Sequence, residues 1–306
     1  MMRTACLVDF RSLRFVVLCL VGSLAFAQAP KSADWKAVDE AMGRSGADQP
    51  DGTHKYSMPR KDLSVTVNGT AIKAGLALGS WAAFKREGGN TTVMGDLVLT
   101  EDEVAPVMAK LQEGNVMITA LHNHLLHERP RVMYMHIHGM GDAVKLAQAI
   151  HSALGETKTP PPDTTAPAQA SSQALDLDTA AIEQALGAKG KNNGGIFQFS
   201  IPRKETIAVE GMTVPASMGV ATAINFQPTG GGKAAITGDF VLVATEVNPV
   251  ISALRHNNIV VTALHSHMLE EQPRLFFMHF WANDDAGKLA RGLHEALEKT
   301  NSEAGH

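Results

Sequence analysis

The chain repeats itself. Gly95-Asp96-Leu97-Val98-Leu99 returns as Gly238-Asp239-Phe240-Val241-Leu242, and Thr119-Ala120-Leu121-His122-Asn123-His124 returns as Thr262-Ala263-Leu264-His265-Ser266-His267, each at an offset of 143 positions. The same offset relates Pro59-Arg60-Lys61 to Pro202-Arg203-Lys204. Of the 23 aligned positions 116–138 and 259–281, 11 are identical, more than shared strand patterning alone produces. A chain written this way is a tandem duplication of a unit of about 120 residues, an ordinary single-domain size. The expected organisation is a first repeat over 28–154 and a second over 176–306. Between them, 155–175 contains Thr-Pro-Pro-Pro-Asp and Ala-Pro-Ala-Gln-Ala-Ser-Ser. That composition cannot build a core and reads as a linker.

Residues 1–27 read as an export signal. Arg11 and Arg14 precede an apolar stretch that ends in Ala25-Phe26-Ala27. A positive flank, a short apolar core and small residues at −3 and −1 predict cleavage after Ala27 and a periplasmic or secreted protein. The core is shorter than the ~20 apolar residues of a spanning helix, so no membrane span is expected. Both cysteines, Cys6 and Cys19, fall inside this segment. The mature chain then has no thiol for a disulfide, a nucleophile or a metal. The formal net charge is −4, and loss of the signal makes it −6. A mildly acidic chain lacks the basic footprint of a nucleic-acid binder.

Each copy reads as α+β: a largely antiparallel sheet with helices packed on one face. A short helix comes first (about 35–43 and 178–186). Strands follow, broken at Asn68-Gly69, Gly88-Gly89, Glu210-Gly211 and Gly230 to Gly232. A second helix is expected over about 103–113 and 246–256, capped by Asp102 and Thr245, with Pro106 and Pro249 in the first turn. Two strands, about 116–124 and 132–138, precede a closing helix that begins at Asp142 or Asp285.

Eight of the 13 histidines lie in 122–138 and 265–279, and the element common to both copies is H-x-H-x11-H. Residues two apart on a strand share a face, about 7 Å apart at Cα. A five-residue turn, His127 to Arg131, would pair His124 with Tyr134, His122 with His136 and Ala120 with His138. His122, His124 and His136 then converge in copy one, and His265, His267 and His279 in copy two. Three neutral imidazoles with an open fourth position form the ligand set of a catalytic zinc site. Zn2+, or another divalent transition metal, would polarise a carbonyl and lower a water's pKa toward ~7. Glu128 and Glu271, equivalent in the two turns, are candidates for the general base. Arg131 and Arg274 are candidates for holding an anionic substrate group in a fork. The glutamates read equally well as solvated turn residues, and the arginines as their partners. His127 and His138 occur in copy one only and are weaker ligand candidates, while Met133, Met135 and Met140 read as core filling. A small-molecule substrate is the expected partner. Rival readings are a non-catalytic metal-binding protein and a partner-binding module with hydrogen-bonded histidines.

The mature chain resembles the LppY/LpqO family of exported bacterial proteins. The residues that carry this are Gly238-Asp239-Phe240-Val241-Leu242, Thr262-Ala263-Leu264-His265-Ser266-His267-Met268 and Pro273-Arg274-Leu275-Phe276-Phe277-Met278-His279-Phe280-Trp281. Copy one departs from the pattern with His138 at the Trp position and His127 in the turn. The resemblance implies an exported tandem domain and assigns no activity. Named members are lipoproteins, and this chain has Leu18 where a lipid-attachment signal needs a small residue. In the spacing of its H-x-H and third His, the chain is also similar to acetolactate decarboxylase and a group of zinc ester hydrolases.

Overall fold

The computed structural model describes residues 34–87, 89–162 and 174–303. The signal expected over 1–27 and most of the expected linker lie outside the described residues.

The first repeat runs α1 (Lys36–Met42), β1 (Ala47–Asp48), β2 (His54–Pro59), β3 (Val65–Val67), β4 (Thr70–Ile72), α2 (Ala74–Ala77), β5 (Gly79–Glu87) and β6 (Asn90–Thr100). It continues with α3 (Glu101–Glu113), β7 (Met117–His122), β8 (Glu128–Arg129), β9 (Val132–Gly141) and α4 (Ala143–Leu154). The second repeat follows the same order: α5 (Thr179–Leu186), β10 (Lys191–Asn193), β11 (Ile196–Pro202), β12 (Ile207–Val209), β13 (Met212–Val214) and a 3₁₀ turn (Ala216–Met218). Then come β14 (Ala221–Gly230), β15 (Lys233–Leu242), α6 (Ala244–His256), β16 (Val260–His265), β17 (Glu271–Gln272), β18 (Phe276–Asp285) and α7 (Ala286–Leu297).

Each repeat builds a six-stranded antiparallel sheet, ordered β1-β2-β5-β6-β9-β7 and β10-β11-β14-β15-β18-β16. The fold is therefore α+β, with α1, α3 and α4 of the first copy and α5, α6 and α7 of the second on one face of their sheets as expected, while the one-turn α2 packs toward the other repeat. Alternation along the strands sends Tyr56, Phe84, Leu97 and Ile137 to the helix side, where they meet Val38, Leu111 and Ile150. Asp142 and Asp285 cap the closing helices by accepting from the Lys145 and Lys288 amides (2.9 and 2.7 Å).

The opposite face of each sheet is covered by the other repeat. Val65, Val67 and Ile72 of the β3–β4 hairpin share a core with Ile196, Ala235 and Trp281. Reciprocally, Ile207, Val209 and Val214 of the β12–β13 hairpin pack with Ala83 and Met94. Polar contacts follow the same exchange: the Lys73 amide donates to Gln227 Oε1 (2.8 Å), and Gln227 Nε2 to the Ala71 carbonyl (2.7 Å). Both repeats consequently belong to one compact unit.

Two expectations are corrected. Helices α3 and α6 begin at Glu101 and Ala244, two residues early, so the N-caps are Thr100 and Val243 rather than Asp102 and Thr245. Pro106 and Pro249 thus lie inside the helices, beyond the first turn. The start is set by Glu103 and Glu246, whose carboxylates accept from the Thr100 and Val243 amides (2.9 Å each). The same carboxylates hold the buried guanidiniums of Arg60 and Arg203 at 2.7 Å. Those arginines also donate to the Val98 and Val241 carbonyls (2.7 Å each), tying helix to strand.

Burial alone would raise the Glu103 carboxyl, but hydrogen bonds from Arg60, Thr100 and Lys158 outweigh it and hold the group below its ordinary value. Removing one partner of such a buried pair costs about 3–5 kcal/mol, because the remaining charge is stranded. Glu103→Gln is expected to lose about that much in urea denaturation at pH 7. A lowered folded-state pKa stabilises above the unfolded value and is lost as pH falls through the folded one, so the gap to wild type should narrow below about pH 4. An unchanged midpoint in Glu103→Gln would show the pair to be dispensable.

Candidate functional site

The expected hairpin register is off by two. His122 pairs with Tyr134 and Ala120 with His136, and a bulge falls between Ile118 and Ala120. The second copy repeats this, with His265 against Phe277 and Ala263 against His279. The cause lies in the turn. Instead of closing tightly, the chain leaves the sheet so that Glu128 and Arg129 can pair with Val67 and Thr66 of β3. His127 adopts φ 60°, and Arg129-Pro130 is cis, as is Gln272-Pro273 in the second copy. A two-residue slip preserves strand parity, so the histidines still share a face.

That face is the one turned to the other repeat. The two trios of imidazoles therefore do not form two sites; they meet. His122 and His265, equivalent in the two copies, stack with ring centroids 3.5 Å apart. His124 lies 3.7 Å from His279, and His136 lies 3.7 Å from His267. These last two pairs exchange under the 143-residue offset, so the cluster straddles a pseudo-twofold axis. Thr119 Oγ1 donates to the His267 carbonyl and Thr262 Oγ1 to the His124 carbonyl (2.6 Å each), latching the two edges symmetrically.

Two carboxylates that sequence reasoning missed complete the cluster. In the sheets, Asp96 pairs with His136 and Asp239 with His279. Asp96 Oδ1 lies 3.9 Å from His136 Nε2, and Asp239 lies 3.6 Å from His267 Nε2 and 3.9 Å from His279 Nε2. These distances exceed hydrogen-bond range. Three trios have ligand atoms within 4.8 Å of one another: His122, His124 and His136; His122, His265 and His267; and Asp239, His267 and His279. The first is the trio expected for copy one. The trio expected for copy two is divided between the other groups, because His267 faces both repeats.

Nε2 of all six histidines, with Oδ1 of Asp96 and Asp239, is buried without a hydrogen-bond partner. Burial lowers His122 to about 4 and His265 to about 3, and burial with the neighbouring rings holds the other four well below the ordinary value. All six are neutral at pH 7, the ligating form. His279 Nδ1 lies 2.9 Å from the Gly238 carbonyl, which can only accept. The proton therefore sits on Nδ1, and the Nε2 lone pair faces the cluster. Burial raises Asp96 to about 7, and burial with the charge of Asp96 raises Asp239 well above its ordinary value. Unpaired lone pairs beside unpaired carboxylates are costly unless a cation compensates them, and this donor set fits a divalent transition ion.

A cavity of about 830 Å³ opens onto the cluster and is lined by Asp96, His124, His136, Asp239, His267 and His279. Lys55 and Trp81 also line it. Neither Glu128 nor Glu271 belongs to the three trios. The buried Glu271 accepts from the Leu275 amide (2.8 Å) and Arg274 Nη1 (3.1 Å). Glu128 is buried with both oxygens unpartnered, and burial raises it to about 7. Arg131 is exposed. His138 is buried with Nε2 unpartnered but lies outside the trios, while His127 is exposed.

The Gly-Asp motif has a steric reason. A Cβ on Gly95 would come within 2.7 Å of the Trp81 carbonyl oxygen, and one on Gly238 would collide with the Ala223 carbonyl. Either would push apart the strands that position Asp96 and Asp239. Both Ala variants should lose about 1–3 kcal/mol in thermal denaturation, with Gly238→Ala the worse because its clash is closer. Equal stability of Gly238→Ala and wild type would contradict this packing.

No curated protein matches the sequence. Among solved structures, a trimeric bacterial microcompartment shell protein, PduB, aligns over 84% of this chain and 90% of its own at 12% identity, with a TM-score of 0.22. EtuB from Clostridium kluyveri aligns over 82% and 90% at 8% identity, with a TM-score of 0.19. The family described as Domain of Unknown Function (DUF1259) matches twice, at residues 36–156 and 180–299, one match for each repeat. The chain belongs to that family.

Proposed function

We propose that the protein is a metal-dependent enzyme, a hydrolase or lyase for a small carbonyl or ester substrate, with one metal centre shared between the repeats. The observation that carries this reading is the meeting of six neutral imidazoles and two carboxylates from both copies, with Nε2 and Oδ1 atoms unpartnered, where four of the histidines and both aspartates line a cavity. A divalent ion, zinc by this donor set, supplies Lewis acidity that polarises a carbonyl and acidifies a water. The chain's own residues do the rest. The Gly238 carbonyl orients His279, and Thr119 and Thr262 hold the two halves in register. Both aspartates line the cavity, but only Asp239 belongs to a trio, so Asp96 takes the proton acceptor's role expected of Glu128 and Glu271. We read the chain as an exported LppY/LpqO-type protein, on its N-terminal segment and repeat motifs. A second reading, metal storage or buffering without turnover, is favoured by the ligand count, since eight donors can close the coordination of the ion.

The two repeats acting as one site makes a prediction that separate sites do not. Stripped of metal and reloaded, the full chain should retain zinc stoichiometrically by elemental analysis. His122→Ala and His265→Ala, from different repeats, should each weaken zinc binding by more than ~100-fold, with folding checked by circular dichroism. Absence of retained metal in wild type would end the metal reading. If each variant kept half the metal at unchanged affinity, the sites would be separate. Turnover of small esters by the zinc form distinguishes enzyme from buffer.

A further inference from the structure

The pseudo-twofold centre is symmetric, but the cavity above it is not. At equivalent places on the two sheets, Lys55 Nζ donates to the Ser217 carbonyl (2.7 Å) and Gln198 Nε2 to the Gly75 carbonyl (2.9 Å). At this one position the first sheet thus carries a cation and the second an amide. The lysine also lies over the Trp81 ring, 4.3 Å from its centroid, while the Trp81 place is taken by Ala223 in the other sheet. Among the described residues, no carboxylate lies within ion-pair distance of Lys55. Asp51 is engaged by Ser217 and Thr53. Lys191 of the other repeat, beside Gln198 in the second sheet, also lines the cavity; the charges of Asp51 and Asp96 favour the Lys55 cation and that of Lys191 opposes it. Lys189, a third lining cation, is paired with Glu183 at 2.7 Å.

We propose that Lys55 is the subsite for the carboxylate of a small organic acid. It fixes which way round that acid lies over the twofold centre, its reacting group toward the histidines. This rests on the reading of the centre as the place of reaction. Two lining lysines, Lys55 and Lys191, neither of them in an ion pair among the described residues, favour an anion, and the volume of about 830 Å³ suits a small molecule. A carboxylate is favoured over a phosphate because no arginine lines the cavity among the described residues. Arginine forks are the groups that phosphate sites commonly recruit.

The probe is succinate, titrated by calorimetry into the full chain with and without zinc, with inorganic phosphate as comparator. Lys55→Gln, which installs the other repeat's residue, should bind succinate roughly tenfold or more weakly, as loss of a charge-assisted bond implies. Lys55→Arg should retain most of the affinity, and zinc content should be equal in all three proteins. Equal succinate affinity in wild type and Lys55→Gln overturns the proposal. So does tighter binding of phosphate than succinate, or a loss in Lys55→Gln that Lys55→Arg shares. Failure of the metal reading registers separately, as absence of zinc in wild type, while the lysine dependence is still measured in the metal-free titration.

Discussion

A sheet has two faces, and the helices of each repeat cover only one. The other face of each copy carries Val98, Tyr134 or Val241, Phe277 beside its histidines, too apolar to leave in water. The duplication answers this by turning the two uncovered faces toward each other. Reciprocal hairpins then complete both inner cores, with Val67 reaching the second repeat's Trp281 and Val209 reaching the first repeat's Met94. Everything at the candidate site follows from that face-to-face burial. Residues that would be half-exposed in a lone repeat are enclosed between two.

Enclosure is also what makes the histidines chemically unusual. An imidazole on an open strand can be satisfied by water. Here His124, His136, His267 and His279 are shielded by the opposite sheet, each with Nε2 unpartnered. Packed rings, as in His136 against His267 at 3.7 Å, disfavour protonation of each other as well as burying each other. Stacking alone would favour an apolar replacement such as the Tyr134 and Phe277 rings beside His124 and His267. The nitrogen lone pairs add only cost unless something binds them.

Much of this architecture was legible in the residues. The 143-residue offset revealed the two units, Asp142 and Asp285 marked the closing helices, and Asn68-Gly69 marked a hairpin that does turn there, with both residues at positive φ. The H-x-H-x11-H pattern located the cluster. What was not legible is the contact between the copies, because docking one sheet on another leaves no periodic signal along the chain. Reading each trio as its own site was the natural result of treating each repeat alone. The hairpin register slipped because Glu128 and Arg129 pair outside their own hairpin, a tertiary choice that local pattern does not record. Asp96 and Asp239 stand out in the sequence only as repeat markers. Their signal was an acid inside the apolar runs Leu97-Val98-Leu99 and Phe240-Val241-Leu242, where a carboxylate needs a reason to be buried.

The two copies differ most where the centre does not require them to agree. In the first repeat, behind the sheet, His54 lies between Asp48 (2.7 Å) and Asp39 (2.9 Å), and Tyr56 donates to Asp39 (2.7 Å). The equivalent places in the second are Asn192, Ile182, Phe197 and Phe199, the last three buried in an ordinary apolar core. Either solution supports the same strand, since polar groups are as good as apolar ones when every partner is present. By contrast, each of the six clustered histidines, both aspartates and both glycines before them recurs at the 143-residue offset. A twofold centre has that requirement built in. A residue lost from one copy is not supplied by the other, because each pair across the axis takes one member from each side. Lys55 against Gln198 breaks the symmetry in the cavity lining, outside the cluster, where a difference can orient a ligand without dismantling what binds it.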